Sequence, residues 1–337
     1  MTILKIRAAH RAIAASALLA VCMSAGIDEL RAQDTKLIRV TAARSATAVS
    51  LWGFDPFGKK YGLRVEVNAA TTNADMQRAV QSGGVEIATL GYQGPAVMAE
   101  QKVSNVKIIA GASVGGQNLI MRKGIELRSW KDLEGKRIGR PPGTYVMILF
   151  TLAAQEFGVD LTKVNLINTT AAGVTELQAL KSGDLDGLLH WSPVIDRAVM
   201  DDYAYFPTCC DIGTTPTFGP GNQTIAANTD FLKDKTTALN FVKAFVEAQD
   251  YYNKNKDKAA ELIEQYTSTN IVTLREALKR GHWDTRVDVS AAVNLAKHGP
   301  AFGFTKGDRS GEVGNYIDLS LLAEATGKPI AELSTLR

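Results

Sequence analysis

A short module occurs twice in this chain, about one hundred residues apart. Residues 79–88 read Ala-Val-Gln-Ser-Gly-Gly-Val-Glu-Ile-Ala, and residues 179–188 read Ala-Leu-Lys-Ser-Gly-Asp-Leu-Asp-Gly-Leu. Each copy predicts the end of a helix, a turn at glycine and the beginning of a buried strand. Such a pattern occurs singly in many α/β proteins, but its repetition favours two similar α/β units.

Each predicted strand runs into an aromatic residue and then a proline, in the segments 91–95 and 190–193. Proline suits the first turn of a helix, so both segments are predicted to connect a strand to a helix. Open α/β sheets bind ligands at the carboxyl ends of their strands. The two loops are therefore expected to face a shared cleft.

The whole chain follows the same alternation of short apolar strands and helices. The first series has predicted strands at 37–42, 64–67, 85–90 and 106–110 and helices at 49–61 and 75–81. The second has strands at 137–140, 164–167 and 185–189 and helices at 143–157, 175–182 and 194–200. A strand at 223–227 and a mostly helical remainder follow. This order predicts an α/β fold of two Rossmann-like lobes.

The lobes are predicted to be joined by two crossovers, near residues 114–120 and 213–222. Lobe one would contain residues 33–117 and 218–337, and lobe two residues 118–217. The carboxyl-terminal helices carry apolar residues at helical spacing and are expected to pack against lobe one.

The amino terminus has the pattern of a secretory signal peptide, predicted over residues 1–32. Basic residues precede an apolar run from Ala12 to Met23, which is too short to span a bilayer. Cleavage is expected after Ala32, with a site near Ala25 as the alternative. A lipoprotein anchor at Cys22 is less favoured, because Val21 is not a small residue. The mature protein is expected in the periplasm.

The net charge and the cysteines bear on nucleic-acid binding and on disulfide formation, respectively. The formal net charge is +3 from 38 basic and 35 acidic residues. Removing residues 1–32 takes away four basic and two acidic residues and leaves +1, which does not indicate nucleic-acid binding. The other two cysteines, Cys209 and Cys210, are adjacent in the sequence. The sequence is compatible with either a vicinal disulfide or two buried thiols.

Several segments together resemble the substrate-binding proteins of the nitrate, sulfonate and taurine ABC importers. They are residues 53–67, 82–95, 129–139, 142–144 and 185–193, which include an Asp-Leu-Glu-Gly-Lys-Arg-Ile-Gly run and a Trp-Ser-Pro loop. The resemblance implies the type II periplasmic binding fold. It also implies a monomer that captures a small organic anion, either an aliphatic sulfonate like taurine or an aromatic acid, without catalysis or a cofactor. An ABC permease and its ATPase would be the partners.

Candidate ligand contacts are hydroxyls, amides, aromatic rings and backbone N–H groups at strand ends and helix starts, where helix dipoles favour anions. They are Arg44, Ser45, Thr47, Tyr92, Gln93, Gly116, Gln117, Thr144, Tyr145, His190, Trp191 and Asn222. Thr144 has the alternative role of a helix cap, and Trp191 that of a core residue. Arg44 has the alternative of neutralising a neighbouring acid. His190 lacks metal-ligand spacing, so no metal site is predicted.

Three other functions are alternatives to solute binding for transport. A desulfinase-like enzyme of the same fold would use a cysteine in the loop after the first strand, where this chain has Ser45. No nucleophile elbow, zinc motif or Walker loop occurs in the sequence. A pyrimidine-precursor synthase is disfavoured because its cysteine-rich signature is absent. A ligand sensor for a signalling receptor is an open alternative.

Overall fold

The computed structural model describes residues 35–70, 72–170, 173–212, 219 and 221–336. The predicted signal peptide, its cleavage site and most of the predicted second crossover lie outside the described residues. Within the described ranges, no helix combines the length and the apolar character needed to cross a membrane.

The described residues form eleven strands and fourteen α-helices, with short 3₁₀ turns between them. The strands are β1 Lys36–Ala42, β2 Leu63–Ala69, β3 Ile87–Gly91, β4 Val106–Gly115, β5 Gln117–Arg122, β6 Arg137–Arg140, β7 Asn165–Asn168, β8 Gly187–Trp191, β9 Ala204–Tyr205, β10 Gly221–Asn228 and β11 Gly281–His282. The helices are α1 Val49–Trp52, α2 Asp55–Gly58, α3 Asn73–Gln81, α4 Gly94–Glu100, α5 Tyr145–Glu156, α6 Val174–Ser182, α7 Val194–Met200, α8 Thr229–Lys233, α9 Lys235–Lys254, α10 Lys256–Thr267, α11 Ile271–Ala277, α12 Val289–Phe302, α13 Ser320–Thr326 and α14 Ile330–Leu333.

The strands form two separate sheets, and β2-β1-β3-β10-β4 of the first sheet correspond in order to β7-β6-β8-β5-β9 of the second. The first sheet is β11-β4-β10-β3-β1-β2, and the second is β7-β6-β8-β5-β9. In each, three parallel strands are followed by one antiparallel strand, β10 in the first sheet and β5 in the second. These antiparallel strands are the first ones after each passage between sheets. The duplication predicted from the sequence therefore extends to the sheet topology.

The repeated module makes the same ion pair in both lobes. Arg39 on β1 donates from its backbone N–H and guanidinium to Glu86, and its guanidinium also reaches the Gly83 carbonyl. Arg137 on β6 binds Asp186 in the same way, with distances of 2.9 and 3.1 Å, and reaches the Gly183 carbonyl. The acid that recurs in the two sequence copies thus fixes the turn after a helix to the first of the three parallel strands in its own sheet, β1 or β6.

The first passage between sheets occupies a single residue. β4 ends at Gly115 in the first sheet, and Gln117 already begins β5 in the second. Gly115 and Gly116 have φ of 69° and 76°, a left-handed conformation that favours glycine. The chain returns to the first sheet with β10. The lobe boundaries predicted at residues 117 and 217 stay predictions.

The carboxyl-terminal helices pack against the first sheet's lobe, as the sequence predicted. Phe241 and Phe245 of α9 are buried, and Phe241 stacks on Phe54 with ring centroids 5.1 Å apart. The predicted continuous helix over 49–61 is wrong, because α1 ends at Trp52 and α2 begins at Asp55. Pro56 has no N–H to donate to the preceding turn, so it starts a new helix.

Candidate functional site

Two tyrosines from opposite lobes meet between the sheets. Tyr92 follows β3, and Tyr145 is the first residue of α5. Their ring centroids are 6.1 Å apart with an angle of 21° between the planes. Both side chains are buried, and burial raises the pKa of each hydroxyl. Both hydroxyls are therefore neutral at physiological pH.

The Tyr92 hydroxyl is anchored within its own lobe. It accepts a hydrogen bond of 3.1 Å from the backbone N–H of Asp288. A Cβ atom at Gly221, on β10, would lie 2.3 Å from Cζ of the Tyr92 ring. Only glycine allows β10 to approach the ring this closely.

Asp288 is completely buried at the start of α12. Its Oδ1 atom accepts hydrogen bonds from the Ser290 hydroxyl and the Ala291 backbone N–H, at 2.6 and 3.0 Å. Among the described residues, its Oδ2 atom has no hydrogen-bond partner, and neither has the buried hydroxyl of Tyr145. Within the tyrosine pair, the Tyr92 hydroxyl is therefore satisfied, whereas the Tyr145 hydroxyl is not.

A cavity of about 260 Å³ lies beside the tyrosine pair and is lined by both lobes. One wall is rich in amides and contains Asn73, Gln77, Gln93 and Gln101 of the first lobe. An apolar part of the lining, called the apolar wall below, consists of Met147 and Ile148 of α5 and the stacked rings of Phe302 and Phe304. Ligand pockets usually measure about 300–1,000 Å³, so this space suits a small solute.

Three helices begin at the rim of this cavity. Asn73 is the first residue of α3, Gly94 is the first residue of α4, and Gly143 lies two residues before α5. The Asn73 side chain accepts a hydrogen bond of 3.1 Å from the Gly91 backbone N–H, which ties the start of α3 to the end of β3. Helix starts carry partial positive charge and free N–H groups, so the rim favours an anion.

Of the residues predicted from the sequence, Gln93 lines the cavity and Tyr92 and Tyr145 stand next to it. Thr144 is at the cap position of α5, but its hydroxyl donates to the Pro141 carbonyl at 2.6 Å and does not cap the helix. The threonine hydroxyl therefore holds the loop before α5.

Four predicted residues gather at the first passage between sheets. Gln117 pairs with Trp191 across β5 and β8, and the carbonyl of Gly116 accepts a hydrogen bond of 2.7 Å from the Ser192 N–H. Asn222 donates to the Gly115 carbonyl at 2.9 Å. These contacts hold the strand connections in place around the glycine pair.

The remaining predicted residues lie in two further places. His190 is buried at the end of β8, and its ring is tilted by 33° against that of the half-buried Trp191, with ring centroids 4.1 Å apart. The hydroxyls of Ser45 and Thr47 are 2.6 Å apart, and Arg44 beside them is exposed. Their loop is fixed to the carboxyl-terminal region, because the Trp283 ring N–H and the Tyr266 hydroxyl donate to its carbonyls at 2.7 and 3.0 Å.

An ion pair also joins the two lobes. Asp196 of α7 is completely buried and binds the guanidinium of Arg280, which lies between α11 and β11. The same guanidinium lies 4.2 Å from the ring centroid of Phe206, in the second lobe. Arg280 therefore contributes both charge and stacking to the contact between lobes.

Two features of the described residues limit thiol and metal chemistry. Cys209 and Cys210 form a vicinal disulfide, so neither is a free thiol. Across the described ranges, no group of three or more His, Cys, Asp or Glu side chains is arranged to hold a metal ion.

Sequence reasoning missed Asp288 and the apolar wall of the cavity. Asp288 precedes an apolar helix and has the pattern of an ordinary helix cap, which it also is. Phe302 and Phe304 are separated from the cavity's other walls by more than 150 residues. No local pattern indicates that they meet Met147.

Comparisons with known proteins agree with this architecture. A binding protein of Brucella abortus (strain 2308), named without a ligand, is 27% identical over 267 residues, which cover 74% of this chain and 75% of that protein. The taurine-binding periplasmic protein of Escherichia coli (strain K12) is 29% identical over 146 residues, 43% of this chain and 44% of that protein.

The periplasmic aliphatic sulphonate binding protein SsuA of Escherichia coli has a similar structure. The TM-score is 0.71 at 13% identity, with 84% of this chain and 92% of that chain covered. This likeness confirms the predicted periplasmic binding protein fold. The family model described as NMT1/THI5 like matches residues 57–259. The chain is a member of the NMT1/THI5-like family, as the resemblance to the nitrate, sulfonate and taurine binding proteins had indicated.

Proposed function

We propose that this protein is the periplasmic solute-binding protein of an ABC importer. It captures a small organic anion between its lobes and delivers it, as a monomer, to a permease and its ATPase. The cavity lined by both lobes carries this proposal, because a solute held there contacts both lobes at once. The family and the names of the relatives support the same function.

The walls of the cavity favour an anion with an organic body. The three helix starts and the amides of Gln77 and Gln93 suit a carboxylate or sulfonate head. The apolar wall of Met147, Ile148 and Phe302 suits carbon atoms of an alkyl chain or a ring. Inorganic anions such as nitrate would leave this wall without a partner, so we expect them to bind weakly.

Binding without catalysis is favoured over the desulfinase alternative. The loop after β1 carries Ser45, whose hydroxyl lies 2.6 Å from the hydroxyl of Thr47 and has no basic partner described there. A serine needs an adjacent general base to become a nucleophile. The two cysteines, bonded to each other, do not supply a replacement.

The test is a thermal shift series on the mature protein with alkanesulfonates, taurine, nitrate and aromatic carboxylates. A ligand that binds only the folded state raises the melting temperature in a saturable way. We expect organic anions to do so and nitrate to have little effect. No shift with any organic anion would refute the proposed ligand class.

Variants then test the predicted contacts. A direct contact of Thr144 or Trp191 with the solute, as the sequence predicted, requires that Thr144→Ala or Trp191→Ala weaken binding while the circular dichroism spectrum stays unchanged. Unaltered affinity in both variants would remove these two residues from the site.

A further inference from the structure

A single charged side chain is found in the lining of the cavity. Of the described residues that line it, Arg78 alone carries a formal charge, and the others are amides, glycines and apolar residues. An organic anion that leaves water for this cavity loses the hydration of its charge. It binds well only where a positive charge or hydrogen-bond donors replace that hydration. Arg78 is therefore the lining residue that can supply a full positive charge.

Arg78 belongs to the face of α3 that forms the amide-rich wall. Asn73 and Gln77 are four residues apart, and so are Ala74 and Arg78, which places all four on one face of the helix. The buried Gln77 side chain is fixed, because it donates to Oε1 of Gln101 at 2.8 Å. The Arg78 side chain is 70% exposed. An exposed side chain changes its rotamer rapidly, so the guanidinium can turn toward a solute in the cavity.

The present partner of the Arg78 guanidinium holds it weakly. Its Nη2 atom binds Oδ1 of Asp75 at 2.5 Å, and both side chains of this pair are largely exposed. Exposed ion pairs contribute little to stability. The Asp75 carboxylate also accepts a hydrogen bond of 2.6 Å from the Thr72 hydroxyl at Oδ2. This hydroxyl, more than the charge of Arg78, holds the pKa of Asp75 below its usual value. Asp75 thus stays ionised and hydrogen-bonded when Arg78 turns away.

We propose that Arg78 is the counter-ion of the solute, and that its guanidinium moves from Asp75 to the carboxylate or sulfonate of the bound molecule. The planar fork of a guanidinium donates two parallel hydrogen bonds to two oxygens of such a group. Asp75 lies in the first turn of α3, so the guanidinium already points toward the start of this helix. The body of the solute then excludes water from the ion pair and strengthens it. This inference rests on the proposed function, since it assigns the residue that binds the anionic head.

The test compares probes of like shape that differ in charge, by isothermal titration calorimetry on the mature protein. The pairs are 1-pentanesulfonate with 1-pentanesulfonamide and 3-phenylpropionate with 3-phenylpropionamide. In the pair whose anion binds, we expect Arg78→Gln to weaken binding of the anion about tenfold or more, because a charge-assisted hydrogen bond is lost. Binding of the neutral amide should stay nearly the same. The selectivity for the anion should therefore fall by the same factor.

Further variants separate a direct contact from a general effect of charge. Arg128→Gln removes the same charge from a similarly exposed arginine, which is paired with Glu126 and does not line the cavity. It should change the affinity for the anion by less than about twofold, because salt screens distant surface charges. Arg78→Lys keeps the charge but loses the fork, so its affinity should be intermediate. Asp75→Asn removes the competing carboxylate and should tighten binding of the anion, and it should do so less in the Arg78→Gln background.

A second arginine near the cavity provides the alternative counter-ion. Nη1 of Arg140 lies 2.9 Å from Sδ of Met147, which lines the cavity, whereas Arg140 itself does not. Loss of the selectivity for the anion in Arg140→Gln but not in Arg78→Gln would overturn the inference. Unchanged affinity of the anion in Arg78→Gln, or equal weakening of both members of a pair, would overturn it as well. These results leave the proposed function standing, whereas failure of both anions to bind the unaltered protein would overturn the inference and the proposed ligand class together.

Discussion

Replacing Arg280 with alanine leaves the Asp196 carboxylate buried at the lobe contact without its cation. Asp196 is completely buried, whereas the Arg280 side chain is 31% exposed. Removing one partner of a fully buried ion pair costs about 3–5 kcal/mol. The partial exposure of Arg280 makes this free-energy cost smaller, whereas the loss of its stacking on Phe206 makes it larger. We therefore expect a loss of about 2–4 kcal/mol in the free energy of unfolding.

For a chain of this size, about 2 °C of melting temperature corresponds to 1 kcal/mol, so the variant should melt about 4–8 °C lower. Urea denaturation gives the free energy independently. The matched control is Arg275→Ala on α11, whose ion pair with Asp257 is exposed and should cost at most about 0.5 kcal/mol. The double variant Asp196→Asn with Arg280→Ala should recover part of the loss. Equal melting temperatures for Arg280→Ala and the control would refute the reasoning.

Three further results are expected. Gly221→Ala should lower the free energy of unfolding, measured by urea denaturation, by about 1–3 kcal/mol, because the new Cβ would overlap the buried Tyr92 ring. The control Gly311→Ala should lower it far less, because no atom lies within 4 Å of the new Cβ. Arg137→Ala should lower the melting temperature more than Arg39→Ala. The first variant leaves behind the carboxylate of Asp186, which is 11% exposed, and the second leaves that of Glu86, which is 24% exposed. The opposite order of melting temperatures would contradict this reasoning. Burial lowers the pKa of Lys256 to about 8, so between about pH 8 and 10.5 the unfolded chain binds more protons than the folded protein. The free energy of unfolding should therefore rise with pH in this window more steeply than that of the Lys256→Met variant. Parallel curves of the free energy of unfolding against pH for the two proteins would exclude the lowered pKa of Lys256.

Periodicity and turn residues predicted eight of the eleven strands in the described residues but not β5, β9 or β11. The helices after β10 were predicted only as a mostly helical remainder. The repeated acid at Glu86 and Asp186 was visible in the sequence, but its arginine partner on β1 or β6 was not. That pairing depends on the sheet register, which single-sequence patterns do not contain. The break after Trp52 was missed because the apolar spacing continues through Pro56.

The site was predictable only where its residues follow strand ends. Tyr92, Gln93 and Tyr145 were found in this way, since strand ends and helix starts face the cleft. Asp288 and Phe304 were not found, because they reach the site through the packing of α12 on the first lobe. Such contacts between distant segments depend on tertiary structure and leave no local signal.

The central claim is that the solute binds in the cavity between the lobes. Val97 lines this cavity from α4 and is half-buried, so Val97→Trp places an indole ring in the space with little disturbance of the core. Val272→Trp, at an exposed position on α11, is the matched control. Calorimetric titration with the ligand found by thermal shift should show binding abolished in the first variant and unchanged in the second. Full affinity in a folded Val97→Trp protein would contradict the account.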